Sequence, residues 1–367
     1  MTQTLSRRAA TRHLLRPLHL RDSLTLARQP SLRNAALAGS QAALTLAIAL
    51  PLVHLSPWHG LTGFAALGAL VALFGRFAPE GQRARVLLQS GALQVLAVLS
   101  MSLAVWLGLS ANGQLTLLAL ASGVLFFATT TWRLGPPGVL IFVFAAGAAM
   151  GHPVTLPEIF GRVAATGLVA VLAWAVCTLT EVLRHAAGPD RPLPVEPVRP
   201  LGHRLTASAR VVLGAGIAAF ASDMAGAAHP AWAAMGAIVV IQGPFLHVSM
   251  SRALQRMAGT VAGALLVWLI LQADPSFWVL IVVLAMLQIT TELIIGTNYG
   301  LGQILVTPMA LLMSYLAMPQ ASGAAMASER VLDTLAGVVI GMLVAIVLST
   351  LDDRAHLARH HDARMAG

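Results

Sequence analysis

Lysine is absent from all 367 residues, and only 10% of the chain is charged. Against 57% hydrophobic residues, that leaves too little polar surface to cover a water-soluble fold of this length. Intrinsic disorder fails on the same ground, because a disordered chain needs low hydrophobicity and high charge. Cys177 is the one cysteine, so a disulfide scaffold is excluded. Enzymatic motifs are missing as well: there is no HExxH zinc helix, no GxSxG elbow, no Walker A loop and no CxxC pair. The reading is therefore a polytopic membrane protein that is all-α, is no enzyme and binds no cofactor or metal.

The formal charge of +9 raises nucleic acid as a partner. The 23 arginines, however, scatter as short flanks between apolar runs and do not form a patch, which argues against it. The partners expected instead are the lipid bilayer and a small organic anion.

A membrane-crossing helix needs about 20 apolar residues. Runs near that length predict twelve spans, at about 34–54, 59–76, 86–108, 113–131, 137–151, 162–181, 206–226, 230–247, 254–272, 276–293, 299–318 and 330–350. All arginines except Arg162 and Arg330 fall on one side of that arrangement, which the positive-inside rule makes cytoplasmic for both termini. The predicted organisation is a cytoplasmic Arg-rich amphipathic segment lying on the inner leaflet (1–33) and a first six-span repeat (34–181). A Pro-rich cytoplasmic linker (182–204), a second six-span repeat (205–351) and a cytoplasmic tail (352–367) follow. His360, His361 and Asp362 of the tail lack further ligands nearby and read as a solvated end.

Landmarks recur across the linker in the same order. "SPWHGLTGFAALGAL" around Trp58 parallels "HPAWAAMGAIVVIQG" around Trp232, the turn at Arg83 parallels that at Arg252, and "GRVAATG" parallels "ERVLDTLAG". Two tandem repeats in one orientation follow from this pattern. The third parallel puts Arg162 and Arg330 at the same place in each repeat, where an approximate two-fold axis would gather them at one anion-attracting mouth. The plain alternative is a pair of interfacial anchors.

Arg256 is followed by Gly259 and Thr260, so a guanidinium, a close backbone approach and a hydroxyl lie within about one helical turn, a candidate anion pocket. Gly259 with Gly263 and Gly337 with Gly341 read as helix-packing pairs. Asp333 lies one turn after Arg330, where an ion pair between them is the expectation. Gly300, Gly302 and Pro308, matched by "RLGPPGVL" before the fifth span, predict interrupted spans with Gln303 and Thr307 facing a cavity. His54, His59 and His229 read as interfacial, hydrogen-bonded to water or headgroups, with proton coupling as the alternative; Asp223 and Glu292 are by type the better proton carriers, or else wet span ends.

The block "HPAWAAMGAIVVIQG … SRALQRMAGTVAGALLVWL", with Trp232, Gln242, Arg256, Gly259 and Thr260, and the later "ERVLDTLAGVVIGML", with Arg330, Asp333, Thr334 and Gly337, resemble the fusaric acid resistance protein family, also grouped with aromatic acid exporters. The signature block runs over 229–270. The resemblance implies a bacterial inner-membrane secondary transporter of two six-span halves that exports aromatic carboxylic acids or related toxic organic anions, driven by the proton gradient. Many members carry a large cytoplasmic domain where this chain has only the short linker and tail. In this reading the substrate carboxylate is held by Arg256, Thr260 and Gln242, its ring rests on Trp232, and the exit opens toward Arg162 and Arg330. The alternatives are an organic-anion channel and a non-transporting component of an efflux complex. A periplasmic adaptor or a second copy of the chain is left open as a partner.

Overall fold

A computed structural model describes residues 6–14, 23–151, 153–185, 193, 197–243, 245–317, 323–350 and 353–358. Among these there are helices and no strands. The helices are α1 Arg7–Leu14, α2 Leu32–His54, α3 Thr62–Ala69, α4 Arg83–Trp106, α5 Ala111–Thr131, α6 Leu140–Ala148 and α7 Leu156–Leu179. They continue as α8 Leu201–Met224, α9 Ala231–Ile241, α10 Leu246–Gln272, α11 Phe277–Ile295, α12 Tyr299–Ala317 and α13 Gly323–Val347.

Nine of the described helices are long and apolar enough to cross a membrane: α2, α4, α5, α7, α8, α10, α11, α12 and α13. The other three of the twelve runs expected to span, at 59–76, 137–151 and 230–247, carry shorter helices. At 1.5 Å per residue, the 11 residues of α9 rise only about 16 Å, roughly half of a hydrocarbon core. The 8 residues of α3, extended by a 3-10 turn at Leu70–Leu73, and the 9 of α6 fall short as well. Local chemistry explains each stop. Helix α6 cannot begin before Val139, because Gly135 and Gly138 take left-handed φ values of 71° and 75° around two prolines. Helix α3 unwinds into Gly75, at φ 69°. By contrast, α12 runs unbroken through Pro308, so the expected interruption occurs at α6 and not at α12.

Polar residues set the starts of the long helices. Ser31 caps α2 by accepting from the Asn34 N–H, and Ser110 does the same for α5 from Gly113. Helix α7 opens on a capping box between Thr155 and Glu158, with Pro157 in the first turn, where it has no hydrogen bond to lose. Helix α8 starts at Leu201, before the expected linker boundary at 204. Residues 186–192 and 194–196 of that linker, and His360, His361 and Asp362, lie outside the described residues.

The short helices are the most enclosed parts of the fold. Every residue of α3 is buried, and so is α9 from Ala231 to Val240. Within residues 32–179, α7 packs on α2, α3 and α4; within 201–347, α13 packs on α8, α9 and α10. Between the two sets, α5 packs on α8 and α11 on α2, while α6 meets α9 and α12 meets α3. Two buried charges also tie the sets together, since Arg76 pairs with Glu292, a residue expected to be wet. Helix α1, expected on the leaflet, lays Ala10 and Leu14 into an apolar cluster with Leu246, Met250 and Ala253 of α10 and Val338, Met342 and Ala345 of α13.

Glycine decides how closely α13 approaches α9. A Cβ on Gly337 would collide with the Ala233 carbonyl, one on Gly341 would stand 2.7 Å from Ala237 Cα, and one on Gly236 would stand 2.8 Å from the Thr334 carbonyl. The other set has the same crossing, where a Cβ on Gly68 would stand 2.5 Å from the Thr166 carbonyl. Because the obstructing atoms are backbone, the helices must separate to admit a methyl group. Gly337→Ala is therefore expected to cost about 1–3 kcal/mol and to lower the thermal unfolding midpoint in detergent. Gly202→Ala, where a Cβ meets nothing within 4 Å, should leave the midpoint unchanged.

Candidate functional site: a buried arginine pair

Helix α10 carries Arg256 ten residues from its start, about 15 Å along a 27-residue helix and hence far from either end. Its side chain is 2% exposed. Nη1 donates to Gln303 Oε1 at 2.7 Å and to the Tyr299 hydroxyl oxygen at 3.4 Å. Gln303 Nε2 in turn donates to Thr307 Oγ1 at 3.0 Å. Helix α12 comes this close because α10 is glycine where they cross: a Cβ on Gly259 would stand 2.6 Å from Gln303 Cβ, and one on Gly263 would stand 2.6 Å from the Ile304 carbonyl. Arg256, Gly259 and Gln303 are thus brought together as one unit.

What Arg256 does not bond is more informative. Among the described residues its Nε and Nη2 have no partner, and these two N–H groups form the edge of the guanidinium that matches a carboxylate bidentately. Thr260, fully buried one turn on, has an unpartnered hydroxyl. Arg330 on α13 is 1% exposed, and its Nε and Nη1 have no partner among the described residues. Its guanidinium carbon stands over the Trp232 ring, 5.1 Å from the ring centroid. Arg256, Asp333 and Tyr299 all lie within electrostatic range of Arg330.

Asp333 departs from expectation. It forms no ion pair with Arg330; Ser222 of α8 donates to its Oδ1 at 2.5 Å, and among the described residues Oδ2 has no partner. The i, i+3 spacing permits a pair, but the cation–π contact draws Arg330 over Trp232 and Ser222 holds Asp333 toward α8. Thr334, beside it, also has an unpartnered hydroxyl. His229 is likewise not left to water: its backbone N–H and its Nδ1 meet Glu329 at 2.8 and 2.9 Å, and its ring stacks on Trp232 at 4.3 Å between centroids. With Arg330 on the indole and His229 stacked against it, Trp232 holds protein groups and is no free platform for a substrate ring.

Two expected members stand apart. Gln242 ends α9, about 15 Å along the helix from Trp232, and its Oε1 faces Gly138. Arg162 lies on α7, half-buried over Phe64 at 5.0 Å, with Nη1 donating to the Ala149 carbonyl at 3.3 Å. The Arg162–Phe64 contact does repeat the Arg330–Trp232 one, since each pair of equivalent residues is 168 apart in the chain. Phe64 thus meets Arg162 as Trp232 meets Arg330, whereas Trp58, the expected parallel to Trp232, is exposed. Ser222, Tyr299 and Glu329 were not picked out by sequence reasoning, because the groups they meet lie 111, 43 and 100 residues away in the chain.

Every residue of the cluster, from Ser222 to Thr334, lies in one stretch that matches a known family. Residues 217–344 are fusaric acid resistance protein-like. A relative from Bacillus subtilis (strain 168), described as the uncharacterized membrane protein YvaC, is 33% identical over 137 residues, covering 36% of this chain and 22% of the relative. The chain thus spans about a fifth of that relative's length. No solved structure matches the chain.

Within the fusaric acid resistance-like segment, Ser222 is the only group that hydrogen-bonds Asp333 among the described residues. Removing its hydroxyl leaves a buried carboxyl without a donor, at a cost of about 1–3 kcal/mol. Ser222→Ala should lower the unfolding midpoint in detergent, and Ser222→Thr, which keeps a hydroxyl, should recover most of the loss.

Proposed function

We propose that this protein is a bacterial inner-membrane secondary transporter that exports aromatic carboxylic acids or related organic anions. The observation that carries the reading is the buried pair Arg256 and Arg330, each with two guanidinium nitrogens that have no partner among the described residues. Burying a cation costs several kcal/mol unless it is paired and hydrogen-bonded, and ionisable groups inside membrane bundles mark substrate paths. An organic anion is the partner this donor set lacks, and the Nε–Nη2 edge of Arg256 has the geometry for a carboxylate. The family supplies the same direction, since the match covers the whole cluster.

In this reading the two helix sets are tandem repeats related by an approximate two-fold axis along the membrane normal, with both termini cytoplasmic. Supporting the repeat are the recurring Arg–aromatic contacts and the matching glycine crossings at Gly68 and Gly236. The short buried helices α3 and α9 then act as half-span elements that place the site near the midplane. The carboxylate sits against Arg256 and Arg330 with Thr260 and Thr334 in reach of its oxygens, and the halves rock about it. Asp333, beside Arg330 with one oxygen unpaired, is the group through which the proton gradient acts. Arg162 belongs to the exit side and not to the site.

The test is flux of benzoate and related aromatic acids from proteoliposomes with an imposed pH gradient. Arg256→Gln and Arg330→Gln are each expected to lower the flux about tenfold or more, the loss of a charge-assisted hydrogen bond, while inserting normally. Normal flux in both variants overturns the arginine site. Steady current under voltage clamp, with no dependence on the pH gradient, would assign a channel instead.

A further inference from the structure

Gln303 and Thr307 stand one turn apart on α12, both fully buried. Each lies against a glycine of α10: a Cβ on Gly259 would stand 2.6 Å from Gln303 Cβ, and one on Gly263 would stand 2.7 Å from Thr307 Cβ. The hydrogen bonds between the two side chains run in a fixed direction. Thr307 Oγ1 donates its one hydrogen to the Gln303 backbone carbonyl at 2.9 Å and accepts from Gln303 Nε2 at 3.0 Å. A hydroxyl whose hydrogen is committed in this way offers only lone pairs, so the amide turns its NH2 end toward it. Oε1 is left for the other side, where Arg256 Nη1 donates to it at 2.7 Å. A guanidinium has donors only and needs that oxygen. The two demands agree, and with both ends engaged the amide has one orientation.

We propose that Thr307 and Gln303 are positioning residues of the anion site: they hold the Nη1 corner of Arg256 and so aim its Nε–Nη2 edge, without touching the anion themselves. This rests on the reading of Arg256 and Arg330 as that site. A guanidinium is planar, so fixing one corner restricts where the opposite edge points, and a carboxylate bound through two parallel N–H groups needs that edge in one direction. Holding the edge in place before the anion arrives removes the ordering cost from the binding step. The residue type matters as much as its place. An amide accepts from Arg256 and carries no charge, whereas a glutamate at 303 would compensate the cation from within the protein. Gln303 thus supports Arg256 and leaves its charge for the anion.

The test is benzoate binding to the full-length protein by equilibrium dialysis, with the thermal unfolding midpoint in detergent measured on the same samples. Thr307→Val keeps the shape and removes the acceptor, and it should bind benzoate about tenfold more weakly than wild type, the scale of one hydrogen bond. Thr307→Ser keeps the hydroxyl and should bind as wild type does. Gln303→Glu should lose about tenfold or more in affinity while its midpoint stays at or above the wild-type value, a split that loss of packing would not produce. Wild-type affinity in either Thr307→Val or Gln303→Glu overturns the inference, and leaves the arginine site standing where Arg256→Gln has lost binding. Failure of Thr307→Ser to recover the affinity lost in Thr307→Val overturns it as well. If Thr307→Val does not fold, Gln303→Glu decides alone. Absence of benzoate binding to wild type removes both the inference and the arginine site.

Discussion

Two cations enclosed among apolar helices, with hydrogen-bond donors left open, are the constraint around which the rest of the structure is arranged. A guanidinium buried without an anion is costly, and the fold answers that cost partially: Gln303 and Tyr299 occupy one side of Arg256, and the Trp232 ring lies under Arg330. The edge of Arg256 that would bind a carboxylate is left alone. The acid that could have neutralised Arg330, Asp333, is held toward Ser222 instead. The site thus keeps its positive charge available, at the expense of stability.

Close helix packing makes that arrangement possible. Glycines at 259, 263, 236, 337 and 341 let α10 approach α12, and α9 approach α13, to the point where backbone atoms would obstruct any side chain. These crossings bring Arg256, Gln303, Trp232, Arg330 and Asp333 into one region from four helices that are distant in sequence. The shortness of α9 serves the same end, since a half-length helix places the Trp232 end deep in the protein without crossing it. Links between the helix sets, through Arg76 and Glu292 and through α2 with α11, give the two sets a defined relation around this region.

Much of this was legible in the sequence, and the failures have physical causes. Composition gave the all-helical membrane class, and the order of apolar runs located the helices. Three of the twelve runs fold as shorter helices than expected, because hydropathy registers how apolar a run is and not where its backbone stops being helical. The run 59–76 is as apolar as a span, yet it changes to 3-10 geometry and turns at Gly75. Arg256, Gly259, Gln303 and Trp232 could be singled out because arginine and paired glycines are conspicuous in apolar helices. Partnerships over long separations could not. His229 looked solitary because its carboxylate partner, Glu329, is 100 residues away, and the Arg330–Asp333 pair looked assured because nothing local reveals that Ser222 competes for the acid.

The central claim is that the open donors of Arg256 and Arg330 receive an organic anion. It is tested most directly by a crystal structure with 4-iodobenzoate, located by the anomalous scattering of its iodine. The account predicts one bound molecule per chain, its carboxylate on the Nε–Nη2 edge of Arg256 and within reach of Arg330. Occupancy only at other places, or an Arg256 edge still empty at saturating ligand, would contradict it.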